Sequence, residues 1–442
     1  MNETDAKKAT KFFGLSRNVI AMGMVSFLND ISSDMIYPFI PIFLTSVLGA
    51  TATFVGLVEG VADATASFLK IVSGRLSDRW RIRKPFVVFG YSLSAVAKPL
   101  LAVAAAPWHV LGVRFLDRVG KGVRDAPRDA LISFSTEKKG LGRAFGFHRG
   151  ADTLGAALGP LIAFAILPFI NNDLRTLFLL SFFASFLAVL ILQFSVREVK
   201  NHADGIERPK FEFTPSLKFR LPFSASQNFD KKSGSGDKFR DVSRIFTTAL
   251  GWSKFSAGFK FLGAPFMIFL VAATIFSLGR ASEAFLLLRA KGLGLTLVLL
   301  PIIYFVYSMT FALASTPAGM LSDKIGHRNT FMAGMLIFSG TYFLMAEATS
   351  LYAIWILFVV YGFYGALTDG VGRAIVADLV EERWRATAYG MYNAFTGFAL
   401  LPASLVFGIL WDRFGPVVSF RYGAVLGLIA FVVFLFFRVR DH

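Results

Sequence analysis

Stretches of about 20 predominantly apolar residues recur almost evenly from residue 18 to residue 437, and they constrain this chain more than any motif in it. Each is long enough to cross a hydrocarbon core of roughly 30 Å as a helix. Twelve are counted, at 18–47, 52–74, 86–106, 108–132, 144–169, 176–196, 266–289, 294–317, 329–349, 352–379, 387–411 and 418–437. Composition agrees with a bilayer as solvent: 55% of the 442 residues are hydrophobic, 50 are Phe, and only 17% are charged.

The polar start "MNETDAKKATKFFGLSR" runs into a span too long for a signal h-region, with no small-residue cleavage site after it, so the first helix is expected to be retained. With no cysteine in the chain, disulfides, thiolate metal sites and Cys nucleophiles are excluded. The net charge of +17 is not placed as a nucleic-acid binder would place it. Lys7, Lys8, Lys11 and Arg17 precede span one, Arg79, Arg81, Arg83 and Lys84 follow span two, and Lys138, Lys139 and Arg143 follow span four. Lys324 and Arg328 follow span eight, Arg438 and Arg440 close the chain, and connections one to two and three to four hold no Lys or Arg. This asymmetry predicts an inner, cytoplasmic-membrane protein with both termini in the cytoplasm.

A polar interruption containing "DKKSGSGDKF" divides the chain. The expected organisation is a six-helix bundle over 1–197, a cytoplasmic linker over 198–262 and a second six-helix bundle over 263–442. The halves repeat one another. Gly74-Arg-Leu-Ser-Asp78 recurs as Gly319-Met-Leu-Ser-Asp323, and Arg143-Ala recurs as Arg385-Ala, at a shift of about 245 residues. The fold class predicted is all-α integral membrane, with twelve transmembrane helices in two pseudo-symmetric bundles and a site between the repeats.

The chain resembles the major facilitator superfamily, in particular bacterial permeases of the drug/proton antiporter kind, over everything but the middle segment. One motif is Gly74, Asp78 and Arg79, with Arg81 where the family usually has a second glycine; its second copy is Asp323-Lys-Ile-Gly326-His-Arg328. Another is Arg118, Gly122 and Ala126, with Lys121 where glutamine is usual. A third, in span five, is Gly146, Gly155, Gly159 and Pro160, with Ala163-Phe164 in place of a closing glycine pair. The resemblance implies alternating access, a proton gradient as energy source and no cofactor. Gating is expected at Gly74, Asp78, Arg79, Gly155, Gly159, Pro160, Gly319 and Asp323. The glycines offer a small face for close helix approach, Pro160 frees a carbonyl and bends its helix, and Asp78, just past a helix end, serves as a latch.

Ionisable groups inside the spans carry the functional reading, because each costs about 2.5–3.5 kcal/mol at a helix centre unless it is paired or hydrated. Asp30 and Asp34 share one face near the middle of span one, with Tyr37 a turn further. Two such carboxylates repel and are poorly hydrated, so one is expected to retain its proton, as a carrier must. Pro38 and Pro41 are expected to open the helix beside them. Glu59, Asp63 and Lys70 share a face of span two; span three holds Lys98, span four Arg114, Asp117, Arg118 and Lys121, and span five His148, Arg149 and Asp152. Lys70 and Asp152 are expected to pair. Proton coupling is assigned to Asp30, Asp34, Glu59, Asp63, Arg114 and Arg118. Substrate contact is assigned to Tyr37, Lys98, Lys121, Arg149, Arg280, Glu283, Tyr304, Tyr307, Tyr392 and Asn393, since aromatic faces take greasy or cationic molecules without demanding one shape. Structural salt bridges and plain aromatic packing are the alternatives for any one of them.

The function expected is proton-coupled movement of a small molecule, by efflux. The alternative is uptake or exchange of an organic anion such as a siderophore or carboxylate, motivated by Lys98, Arg114, Arg118, Lys121 and Arg149. No HExxH, P-loop or nucleophile constellation supports an enzyme. The partners expected are a small-molecule substrate and the lipid bilayer, without nucleic acid or metal, and the chain is expected to act as a monomer.

Overall fold

A computed structural model describes residues 15–80, 82–136, 141–198, 263–381 and 385–435. The chain divides into two compact units, one of Met1–Glu198 with Leu262–His442 and one of Val199–Phe261. The second unit, where the linker is expected, lies outside the described residues.

The first unit is built of helices: α1 Arg17–Val47, α2 Ala52–Trp80, α3 Lys84–Leu100, α4 Pro107–Phe134, α5 Leu141–Ile166, α6 Leu174–Ser195, α7 Gly263–Gly292, α8 Leu300–Ile325, α9 His327–Glu347, α10 Leu351–Leu379, α11 Arg385–Phe414 and α12 Pro416–Leu435. These are the twelve expected spans, with ends shifted by up to eight residues. Among the described residues nine helices are long and apolar enough to cross a membrane by composition alone. The other three are α2 and α4, which carry many charges, and α3, only 17 residues long.

Local sequence sets the irregular points. Pro38 and Pro41 lack N–H groups, so α1 leaves regular α geometry after Ile36, passing through a 3-10 turn at Tyr37–Phe39 and a π turn at Phe43–Val47. The Ile40 N–H closes the 3-10 turn on Tyr37 O. Asp173 caps α6, accepting from the Thr176 hydroxyl at 2.6 Å and from the N–H groups of Thr176 and Arg175 at 3.1 Å. These bonds, the Thr176 hydroxyl first, hold the Asp173 carboxyl below the usual carboxylate range.

Two helix ends correct the sequence expectation. Helix α2 continues to Trp80, so Asp78 and Arg79 lie within its last turns rather than beyond them. Helix α8 likewise continues to Ile325, so Gly319 and Asp323 lie within it. Helix α5 is helical through Pro160 to Ile166.

Helix approach depends on glycine at two seams. On α5, a Cβ at Gly155 would strike the carbonyl oxygen of Phe27, and one at Gly159 would stand 2.7 Å from Ile31 O and 2.8 Å from Met35 N. The backbone of α1 from Phe27 to Met35, which carries Asp30 and Asp34, thus lies directly on α5. The second seam joins the two halves. Gly56 faces Ser404 O, a Cβ at Gly60 would be 2.9 Å from Leu401 Cα, and one at Gly408 would be 2.5 Å from Ala52 O. Helices α2 and α11 therefore meet backbone to backbone near the α1–α2 connection, here called the distal end.

Candidate functional site

At the centre of the molecule α2, α4, α1 and α7 bring charge and aromatic rings together. Glu59 and Arg114 are 2% and 5% exposed, and Arg114 Nη2 donates to both carboxylate oxygens at 3.0 and 2.9 Å. Arg114 Nη1 also lies 3.7 Å from Asp117, and its guanidinium stands 5.6 Å over the Tyr37 ring. Arg118, one turn along α4, makes no hydrogen bond or ion pair within 4 Å among the described residues; Asp63, Asp117 and Glu59 are the acids that act on it.

Tyr37 bridges the halves. Its hydroxyl is 3.4 Å from Ser282 Oγ on the α7 side, and its ring is 5.3 Å from that of Tyr304 on α8. From there a file of tyrosines continues: Tyr304 to Tyr307 at 5.8 Å, Tyr307 to Tyr361 at 5.3 Å, and Tyr361 to Tyr364 at 5.0 Å between centroids. Arg280 Nη1 reaches the Tyr364 hydroxyl at 3.4 Å. Beside this file sits Glu283, whose carboxylate makes no hydrogen bond or ion pair within 4 Å to another described side chain. Arg280, Asp63 and Glu59 are the charges that act on it. Carboxylates from both halves therefore converge on one aromatic wall.

Asp30 and Asp34 form a second acidic group. Asp30 accepts from Asn29 Nδ2 at 3.1 Å, and Asp152, Lys121 and Arg124 act on it; Asp34 makes no hydrogen bond or ion pair among the described residues. Asp152 is 3.6 Å from His148 Nδ1, whose Nε2 is 3.0 Å from Ser26 Oγ, itself 3.1 Å from the Tyr91 hydroxyl. Lys70 does not meet Asp152 as expected; it pairs with Asp125 at 3.0 Å because α2 packs on α4 there.

Lys98 is only 2% exposed and is held by neutral oxygens: Asn29 O and Oδ1, each at 3.3 Å, and Ser32 Oγ at 3.0 Å. It ties α3 to α1 inside the first half. Lys121, Arg149 (70% exposed, 4.0 Å from Asp152), Asp369, Arg373 and Asn393 are exposed toward the end of the molecule opposite the distal end. Charged groups within spans that remain exposed point to water rather than lipid. Tyr392 stacks on Phe269 at 5.6 Å, apart from the tyrosine file.

Of the gating residues, Gly74 faces Ala126, with a Cβ contact of 3.2 Å, joining two of the motifs. The side chains of Asp78, Arg79, Arg143 and Arg385 lie outside the described residues. The second copy is visible: His327 Nδ1 is 2.6 Å from Asp378 and its Nε2 3.4 Å from Asp323, linking the ends of α8, α9 and α10. Gly319 has open space around it. Sequence reasoning missed Ser282, Tyr361, Tyr364 and Asp412. The pair "YGFY" within an apolar span was a signal for the two tyrosines; nothing local marks the other two.

Comparison with known proteins agrees with this architecture. The family model described as Major Facilitator Superfamily matches residues 22–305 and 266–442. An uncharacterized MFS-type transporter of Methanocaldococcus jannaschii is 33% identical over 428 residues, covering 96% of this chain and 95% of that protein. A multidrug resistance protein, MdtH of Photorhabdus laumondii, is 29% identical over 159 residues, 36% of this chain and 37% of its own length. Among solved structures, the nucleoside transporter NupG shares the fold with a TM-score of 0.72 at 16% identity, covering 94% of this chain and 98% of that one.

Proposed function

The chain belongs to the Major Facilitator Superfamily, and on that premise we propose that this multi-pass membrane transporter exports small amphipathic organic cations in exchange for protons. Both termini then lie in the cytoplasm, the distal end faces outward, and the site is reached from the inside. The observation that carries this reading is Glu283, a carboxylate without an ion-pair partner among the described residues, beside Asp63 and the rings of Tyr37, Tyr304 and Tyr307. An aromatic wall beside an acid with no ion pair within 4 Å attracts a greasy cation through dispersion, ring quadrupole and charge together.

Protons are carried by Asp30 and Asp34. They sit on the stretch of α1 that Gly155 and Gly159 allow to lie against α5, so a shift of α5 changes their surroundings directly. Arg118, with no ion pair fixing it, is free to approach or leave Asp63 as the halves move. The partial likeness to a multidrug resistance protein supports the export direction. An anionic cargo is less well served: Glu59 neutralises Arg114, and Lys98 is enclosed between helices.

Reconstituted protein tests this. With tetraphenylphosphonium as probe in liposomes under an imposed pH gradient, cation movement is expected to drive proton flux in the opposite direction, and Asp34→Asn to abolish the coupling. Proton flux in the same direction as an anion such as citrate would establish the uptake reading instead.

A further inference from the structure

A cavity of about 260 Å³ opens at the distal end, away from the central site and on the seam between the halves. Its walls come from the irregular end of α1 (Phe43, Val47), the start of α6 (Leu174, Arg175), the end of α7 (Lys291) and Leu297 ahead of α8. Two cations therefore face one small, largely apolar space, one from each half. Asp173 also lines it; its carboxylate caps α6 and leaves the lining one positive charge in excess. Arg175 is held in place by its bond to Ala102 O and by the Phe43 ring, 5.3 Å beneath its guanidinium. The Lys291 ammonium makes no hydrogen bond or ion pair among the described residues.

A fixed guanidinium, an unengaged ammonium and apolar side chains at one end of the helix bundle match a phosphate ester carrying a hydrocarbon tail. We propose that this cavity binds the headgroup of an anionic phospholipid, its phosphate between Arg175 and Lys291 and its glycerol and upper acyl carbons against Val47 and Leu297. Because the two cations belong to different halves, the lipid binds only while the distal end is closed, and it favours the conformation described here over one open at that end. The apolar walls favour a lipid over free phosphate, which would leave them unused. The inference does not depend on the cargo or on proton coupling.

Native mass spectrometry of detergent-purified protein with phosphatidylglycerol, phosphatidylcholine or inorganic phosphate tests it. One phosphatidylglycerol is expected to be retained, with occupancy at least tenfold lower in Lys291→Gln and in Arg175→Gln/Lys291→Gln. Lys291→Gln removes no intramolecular bond, so its melting temperature in lipid-free detergent is expected to match the parent. Undiminished retention in the double variant, or equal retention of phosphatidylcholine, would overturn the site. Displacement of the lipid by millimolar inorganic phosphate would overturn the lipid as its occupant.

Discussion

The carboxylate of Asp412, in the last turn of α11, accepts hydrogen bonds from the backbone N–H groups of Ala52 and Thr53 at 2.9 and 2.7 Å, so the second half of the chain caps a helix of the first. These N–H groups begin α2 and have no intrahelical acceptor. A carboxylate there also meets the positive end of the helix dipole. Opening the distal end must break both bonds and return the N–H groups to water.

Replacing this cap is therefore expected to shift the conformational equilibrium rather than unfold the protein. Loss of an N-cap costs about 1 kcal/mol, so Asp412→Ala should favour the distal-open state roughly fivefold. Because the chain contains no cysteine, a single introduced Ser404→Cys gives an uncluttered readout. Its labelling by a bulky maleimide should accelerate in the Asp412→Ala background, and an unchanged rate would remove the cap from the closing machinery.

The Glu59–Arg114 pair should behave as an enclosed ion pair. Arg114→Gln strands a carboxylate that is 2% exposed and is expected to cost about 3–5 kcal/mol. Glu59→Gln/Arg114→Gln should recover much of this loss, which a double-mutant cycle of thermal unfolding in detergent would measure. Additive losses would mean that the two charges do not neutralise each other.

The glycines of α5 should separate by position rather than by motif. Gly159→Val places new atoms against Ile31 O and Met35 N and is expected to destabilise by about 1–3 kcal/mol, with loss of transport. Gly146→Ala meets nothing within 4 Å and should leave stability and transport unchanged. Thermal unfolding and uptake into proteoliposomes distinguish the two.

Glu283→Gln is expected to weaken binding of a cation such as tetraphenylphosphonium by roughly 10- to 100-fold, the loss of one charge-assisted contact of about 1.5–3 kcal/mol. No ion-pair partner of Glu283 is stranded by this change, so its melting temperature without ligand should stay near the parent value. Equal protection by the cation in both proteins would place its site elsewhere.

Much of the architecture was legible because the period and length of apolar runs are local properties. Both ends of α10 fell within one residue of their expected positions, and the prolines at 38 and 41 announced the irregular half of α1. The end of α2 was misplaced because Arg75, Asp78 and Arg79 resemble a loop in composition, although polar residues continue a helix readily where it leaves the membrane. The acids at 30, 34, 59 and 63 stood out for the same reason in reverse, being polar where solvent is scarce.

Which of these charges neutralise one another was not legible, since a pair such as Glu59 and Arg114 is 55 residues apart and any of several bases satisfied the same need. Lys98 and Lys121 read alike in sequence, yet one is enclosed among serine and asparagine oxygens and the other is exposed. The sequence by itself determined the bilayer as solvent, the number of spans and the repeated halves, because apolar length and period act residue by residue along the chain. Only the tertiary structure decided that Glu283 has no ion-pair partner among the described residues, that Tyr37 meets Tyr304, and that Asp412 closes on Ala52. Those depend on distances between helices, which small residues and backbone contacts set and which no local pattern encodes.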